Sequence, residues 1–311
     1  MNTAARKALR FSAIRLENWR NFQLAEIELQ QRVFLFGANA SGKSNFLDVF
    51  RFLRDIASPG GGLEPAVQRR GGVKSLRCLA ARRYPEIAIT VHVLGSEDAD
   101  EWVYELRFTQ DNQQRPTVKR EVIRKGAKVL VDRPTGHDKS DPEQTRQTHL
   151  EQVLVNQEFR ELAHFFQAVE YLHIVPQLVR DPDRYRGQAN DPFGWDFLEK
   201  ISRTTEKTRN ARLRKIGEAL KIAVPQLKEL ELTRDARGIP HLRGNYEHWR
   251  PQGAWQTEEA FSDGTLRLMG LLWATLDGLG PLLLEEPELS LHPDLVRHIA
   301  GMLWRMQRRK H

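Results

Sequence analysis

The segment Gly37-Ala38-Asn39-Ala40-Ser41-Gly42-Lys43-Ser44, followed by Asn45, satisfies the pattern G-x-x-x-x-G-K-[ST]. It follows the apolar run Val33-Phe34-Leu35-Phe36, which reads as a buried strand. It precedes Ser44–Ala57, in which Phe46, Leu47, Val49, Phe50, Leu53 and Ile56 recur at helical spacing. In that context each residue type has a reason. Gly37 and Gly42 let the backbone wrap an anion, and the loop N–H groups and helix N-terminus attract phosphate. Lys43 brings a point charge to β- and γ-phosphates, and the Ser44 hydroxyl is a magnesium ligand. The bland alternative, a chance Gly-rich turn, would not require strand, loop and helix to fall in this order.

A phosphate loop needs a second site that holds the metal and activates water. Pro281-Leu282-Leu283-Leu284-Glu285-Glu286-Pro287 supplies it. Leu282–Leu284 reads as a buried strand, with Glu285 facing the Mg²⁺ shell. Glu286, just past the strand end, is the general base for water attacking the γ-phosphate. Taken alone, two adjacent glutamates can equally well end a strand at the surface.

Between these sites lies Phe261-Ser262-Asp263-Gly264-Thr265-Leu266-Arg267, and after the second site come Glu288 and Leu291-His292-Pro293. With these motifs the chain resembles the ABC-type ATPases of the RecF, SMC and OLD group. More narrowly it resembles bacterial AAA-type ATPases that carry "SDGT-LR" followed by "EEPE-LHP". By motif the resemblance covers about residues 11–60 and 255–300. It implies an α/β P-loop NTPase fold, an ABC-ATPase-like head with a β-rich ATP-binding lobe and a helical lobe. It also implies a homodimer sandwiching two ATP molecules, with Ser262 and Gly264, and Asp263 between them, meeting the γ-phosphate held by Lys43 of the other protomer. The local chemistry agrees: Ser262 is a good N-cap, Gly264 lets backbone approach phosphate, and a second helix N-terminus adds positive potential. An ordinary N-cap without ligand is the plain reading of Ser262.

Other family positions map onto Asn18-Trp19-Arg20-Asn21-Phe22, where Arg20 and Asn21 are candidate nucleotide contacts or, alternatively, a solvated hairpin turn. Gln177, after the strand read at Tyr171–Val175, is the candidate Q-loop glutamine reaching the metal, with Gln68 second and a plain loop glutamine as the other reading. Leu289–Asp294 resembles the D-loop that touches the other protomer, and His292 could equally be a surface residue. The chain departs from the family at Ala40, where glycine is usual, and at Glu285, where aspartate is commoner in the wider superfamily. The family's switch histidine lies on a strand after the last helix, and the chain reaches His311 with no such strand read.

The elements that must position these residues follow from periodicity. Residues 11–36 read as strands. Four period-two runs between Glu86 and Val131 read as an antiparallel sheet. Asp132–Thr148 lacks apolar period and reads as an exposed linker. Helices are expected at 149–169, 195–222, 265–276 and 294–306, strands at 227–232 and 282–285, and an irregular passage between 233 and 264. The expected organisation is residues 1–148 as the N-terminal part of the head, 149–255 as a mainly helical lobe, and 256–311 as the signature segment returning to the core.

The 311 residues are 40% hydrophobic, enough for a large core, and the single Cys78 excludes an internal disulfide framework. No apolar run is long enough to span a membrane and no secretory leader is read, so the expected location is cytoplasmic. A net charge of +7, with 35 arginines among 48 basic residues, permits a polyanionic partner. Lys200–Lys215 carries seven basic residues on an expected helix, a phosphate-backbone contact or a solvated face. Arg305, Arg308, Arg309 and Lys310 suit a helix C-terminus. No zinc spacing, G-x-S-x-G elbow or acidic nuclease cluster appears. The functional expectation is therefore an Mg²⁺-dependent ATPase dimer gating a nuclease or toxin-like effector, or DNA, in anti-phage defence. The rivals are a DNA-repair ATPase of the RecF or SMC kind and a nucleotide-gated scaffold with little turnover.

Overall fold

The computed structural model describes residues 9–80, 85–95, 101–184, 191–249, 254–278 and 280–308. Expectations for the first eight residues, and for Arg309 and Lys310, lie outside that set. The chain divides into two compact units, Met1–Val169 and Glu170–His311.

The first unit is a six-stranded antiparallel sheet in the order β2-β1-β3-β4-β5-β6. Its strands are β1 (Arg10–Trp19), β2 (Phe22–Glu28), β3 (Ile87–Leu94), β4 (Trp102–Gln110), β5 (Pro116–Lys125) and β6 (Lys128–Arg133). Alternation decides the buried face: Ile87, Ile89, Val91 and Val93 are fully buried, as are Leu106 and Phe108. Helix α1 (Lys43–Ala57) follows the phosphate loop and buries Phe46, Val49, Phe50, Phe52, Leu53 and Ile56. Phe52 is fully buried between Trp19 at 5.2 Å and Phe108 at 5.6 Å between ring centroids. Burying such a ring contributes roughly 2–3 kcal/mol. The Trp19 indole also donates to the Asn45 carbonyl at 2.9 Å, tying the β1–β2 hairpin to the first turn of α1. Short helices α2 (Leu63–Gln68), α3 (Val73–Leu76) and α4 (Gly136–Ser140), then α5 (Arg160–Gln167), complete the unit.

The second unit holds β7 (Glu170–Leu172), α6 (Pro176–Val179), α7 (Phe197–Arg203), α8 (Glu206–Leu220), β8 (Leu227–Arg234), β9 (Pro240–Tyr246), β10 (Ala254–Thr257), α9 (Asp263–Asp277), β11 (Leu282–Leu284) and α10 (Pro293–Arg308). β7 and β11 pair in parallel, Tyr171 opposite Leu283, and β10-β9-β8 form an antiparallel sheet. Its core gathers Leu266, Met269, Leu272 and Trp273 of α9 with Leu213 and Ile216 of α8 and Met302 of α10.

Several expectations are corrected. Val33–Phe36 is not a buried strand: Val33, Phe34 and Phe36 are exposed, and no strand is assigned there. A strand needs a partner for its amides, and this segment has no ladder among the described residues. Phe34 and Phe36, on the same side of an extended chain, stack on each other at 6.3 Å. Leu282–Leu284 is half-buried, with β7 as its one ladder among the described residues.

Residues 132–148 are not an unstructured linker. The Arg133 guanidinium, 2% exposed, donates to Asp138, to the Gln144 carbonyl at 2.7 Å and to the Gln147 carbonyl at 2.9 Å. A buried polar hub organises the segment where no apolar period does. The helix expected from residue 149 is regular only at α5. The 195–222 block breaks at Thr204 and Thr205, whose backbones are extended. The irregular passage contains β9 and β10; Gly244, at a buried position of β9, hides the alternation of Pro240 and Leu242.

Candidate active site

In the first unit the two-residue turn Arg20-Asn21 joins β1 to β2, with Asn18 and Arg20 at positive φ. That turn is solvated hairpin and clamp at once. The Asn21 amide donates to the Ser41 carbonyl at 3.3 Å, and its oxygen accepts from the Asn45 amide at 2.9 Å. Asn21 therefore braces the helix-side half of the phosphate loop, from Ser41 to Asn45. Gly42, at φ +103, lies so close to this carboxamide that a β-carbon would overlap it. Ala40 stands in the left-handed region at φ +62, where a glycine would be unstrained.

The Lys43 ammonium donates to the carbonyls of Gly37 and Ala38, each at 2.8 Å, so its charge is held across the mouth of the loop. The Ser41 N–H bonds to the Ala38 carbonyl at 3.3 Å, and the Phe46 N–H to Gly42 at 2.8 Å opens the helical ladder. Arg20 pairs with Asp48 of α1 at 3.0 Å, and Arg70 joins Asp48 to Asp55 at 2.9 Å to each. Burial pushes the Asp48 carboxyl up, but the Arg70 and Arg20 guanidiniums outweigh it and hold its pKa below the ordinary value. Arg20 thus fixes the position of α1, whatever else it touches.

In the second unit Ser262 caps α9: its hydroxyl accepts from the Thr265 N–H at 3.1 Å. Asp263 is held by Arg180 at 2.6 Å and by the Gln177 amide at 3.4 Å. The structure thereby brings Gln177, on α6, to the signature helix, with its amide nitrogen turned to Asp263. A β-carbon on Gly264 would meet the Ser290 carbonyl at 2.8 Å. Glycine there lets the Leu289–Asp294 segment close onto the first turn of α9.

Glu285 follows β11. Its N–H donates to the Leu172 carbonyl at 3.1 Å, its carboxylate accepts from the Tyr171 hydroxyl, and its carbonyl faces His173 Nδ1 at 3.3 Å. Glu286 is exposed and at φ +47, turning the chain sharply away from the strand end. His292 immediately precedes α10: its carbonyl accepts from Leu295 at 2.8 Å and Val296 at 3.2 Å, and its Nδ1 accepts from the Asp294 N–H at 3.3 Å. Gln68 ends α2 in the first unit.

With this geometry established, the family comparison decides the class. A model of the AAA_21 family, described as "AAA domain, putative AbiEii toxin, Type IV TA system", matches residues 32–310. The chain belongs to this family. It is an AAA-type ATPase. Over 47 residues it is 45% identical to endonuclease GajA of Bacillus cereus (strain VD045), covering 15% of this chain and 8% of that protein. The chain therefore spans a small fraction of that relative's length.

Among solved structures it is similar to the Smc head domain of Pyrococcus furiosus, with a TM-score of 0.50 and 13% identity over 96% of this chain and 87% of that one. The recombination mediator RecF with ATP matches with a TM-score of 0.40 and 15% identity over 96% and 91% of the two chains. At such identity the Smc likeness bears on the fold alone, a P-loop NTPase head of mixed α and β structure.

Three residues of this AAA-type ATPase escaped the sequence reading. Tyr171, which holds Glu285, is found only through the β7–β11 register. Arg180 donates to the Phe261 carbonyl at 2.7 Å as well as pairing with Asp263, and nothing in sequence links it to a segment over eighty residues away. Asp48 reads as one polar position on an apolar helix. Of the seven basic residues in Lys200–Lys215, Lys200, Arg203 and Arg212 are paired with Asp196, Glu199 and Asp277. Among the described residues no helix is long and apolar enough to cross a membrane.

Proposed function

We propose that the chain binds and hydrolyses ATP with Mg²⁺ as a homodimer, and that the nucleotide cycle gates a nuclease or toxin-like effector in anti-phage defence. The observation that carries this reading is the braced phosphate loop: Asn21 fixes its helix-side half, and Lys43 is held by two carbonyls that a phosphate would replace. Gly37 to Asn45 would cradle the phosphates, and Arg20 and Asn21 would stand beside the nucleotide. Ser262, Asp263 and Gly264 would face the γ-phosphate of the other protomer's ATP.

The donors assigned to the metal, the Ser44 hydroxyl, the Glu285 carboxylate and the Gln177 side-chain oxygen, are all hard oxygens and fit Mg²⁺. When bound, the metal neutralises phosphate charge. The Tyr171 hydroxyl holds Glu285 in place. Glu286, exposed past the strand end, is free to take a proton from water. We assign residues 1–148 and 256–311 to the ATPase head and 149–255, which carries β8 and β9 beside its helices, to a lobe that transmits its state.

The AAA_21 match, whose description names a toxin–antitoxin system, and the short GajA likeness support an effector role. DNA is a second candidate partner, with exposed Lys207 and Arg214 on α8 as its contacts. Binding of a fluorescent ATP analogue tests the site: Lys43→Ala should abolish it, and wild-type affinity in that variant would remove the assignment.

A further inference from the structure

Arg267 is 5% exposed, and its Nε and Nη1 have no hydrogen-bond partner among the described residues. A buried guanidinium with idle donors is costly, and in a native structure it needs a reason. Its place on α9 supplies one. Arg267 is three residues after Gly264, hence on the same helix face. That face is covered by the Ser290 carbonyl and Leu291, which stand 2.8 and 3.0 Å from where a Gly264 β-carbon would be. Arg267 therefore shares the face of α9 that Ser290 and Leu291 cover, and the turn from Glu286 to Ser290 has left-handed residues at both ends, at φ +47 and +63. Two further observations agree. Burial draws the Arg267 pKa below its ordinary value, against the opposing charges of Asp263, Glu286 and Glu288. Of these three carboxylates, Asp263 is already held by Arg180 at 2.6 Å.

We propose that Arg267 is a positioning residue that pairs with Glu288 when the signature loop engages nucleotide, locking the Glu286–Ser290 turn so that the Glu286 carboxylate is aimed at water. The proposal rests on the assignment of Glu286 as the base. Its logic is a two-position turn: with the donors idle, Glu286 is loosely held and turnover is low. With the Arg267–Glu288 pair closed, the base is fixed and the signature helix is coupled to the water-activating side of the site. Arg267 acts through the turn and not on phosphate, so nucleotide affinity is not its readout.

The test is steady-state ATPase kinetics, with ATP-analogue binding, for Arg267→Met, Arg267→Lys, Glu288→Gln and the charge-reversed pair Arg267→Glu with Glu288→Arg. Arg267→Met and Glu288→Gln should each lower kcat about tenfold or more while changing the analogue's Kd less than threefold. Arg267→Lys should recover part of the loss. Glu288, being exposed, carries the test even where a buried substitution impairs folding.

Wild-type kcat in Glu288→Gln, or equal losses in kcat and in affinity, would overturn the proposal. So would a wild-type kcat in a folded Arg267→Met protein. Failure of the underlying reading looks different: Glu286→Gln would then turn over at the wild-type rate, whatever Arg267 does.

Discussion

The carboxamide of Asn21 occupies the space that a side chain on Gly42 would need. The hairpin turn and the phosphate loop are therefore fitted to each other before any ligand arrives. Replacing Asn21 with alanine removes the contacts to Ser41 and Asn45 and leaves the loop free to sample other shapes. ATP affinity should fall about tenfold, equivalent to roughly 1.4 kcal/mol, with little change in melting temperature. Calorimetric titration beside a thermal melt checks both halves.

Ala40 at φ +62 holds strain that glycine would not. Left-handed backbone costs an L-residue roughly 1–2 kcal/mol, and glycine's greater freedom when unfolded returns part of it. Ala40→Gly should thus stabilise the protein by about 0.5–1 kcal/mol in urea unfolding. A destabilised variant would mean that the loop does not sit in this conformation.

Glu151 accepts from the Leu63 N–H at 2.6 Å and from the Thr148 hydroxyl at 3.2 Å. Burial, helped by nearby Glu121 and opposed by those hydrogen bonds, pushes its pKa from 4.5 to about 7. The folded state therefore holds the proton more tightly than the unfolded chain. The stabilisation is complete below about pH 4.5 and is lost as pH rises through 7, with a ceiling of about 3 kcal/mol. Glu151→Gln should flatten the stability profile between pH 5 and 8 and raise stability at pH 8. Denaturant melts over that range would show an unchanged slope if Glu151 were ionised throughout.

Gly264 is closed on by the Ser290 carbonyl. An alanine there must push the Leu289–Asp294 segment outward. Gly264→Ala should keep ATP binding within a few-fold and lose most of kcat, a split that analogue binding and turnover assays separate.

Much of this was legible from local pattern. The phosphate loop, α1, the four period-two strands and the Ser262 cap each declare themselves over fewer than twenty residues. What was missed depends on distant partners. Val33–Phe36 has the composition of a buried strand, but burial requires a neighbouring ladder that composition cannot report. Residues 132–148 look solvated because their organiser is one buried arginine and not an apolar stripe. Arg180 and Tyr171 earn their places only through the packing of α6 on α9 and the register of β7 with β11. The family motifs made the candidate site readable; its supporting contacts were not.

The reading of an ATP-driven switch stands on Glu286 as the base and on nucleotide as the clamp between protomers. The native mass of the Glu286→Gln protein in Mg-ATP, with its bound nucleotide identified, tests both together. A dimer holding unhydrolysed ATP is the expected result. A monomer, or a protein that releases ADP and phosphate at the wild-type rate, would contradict it.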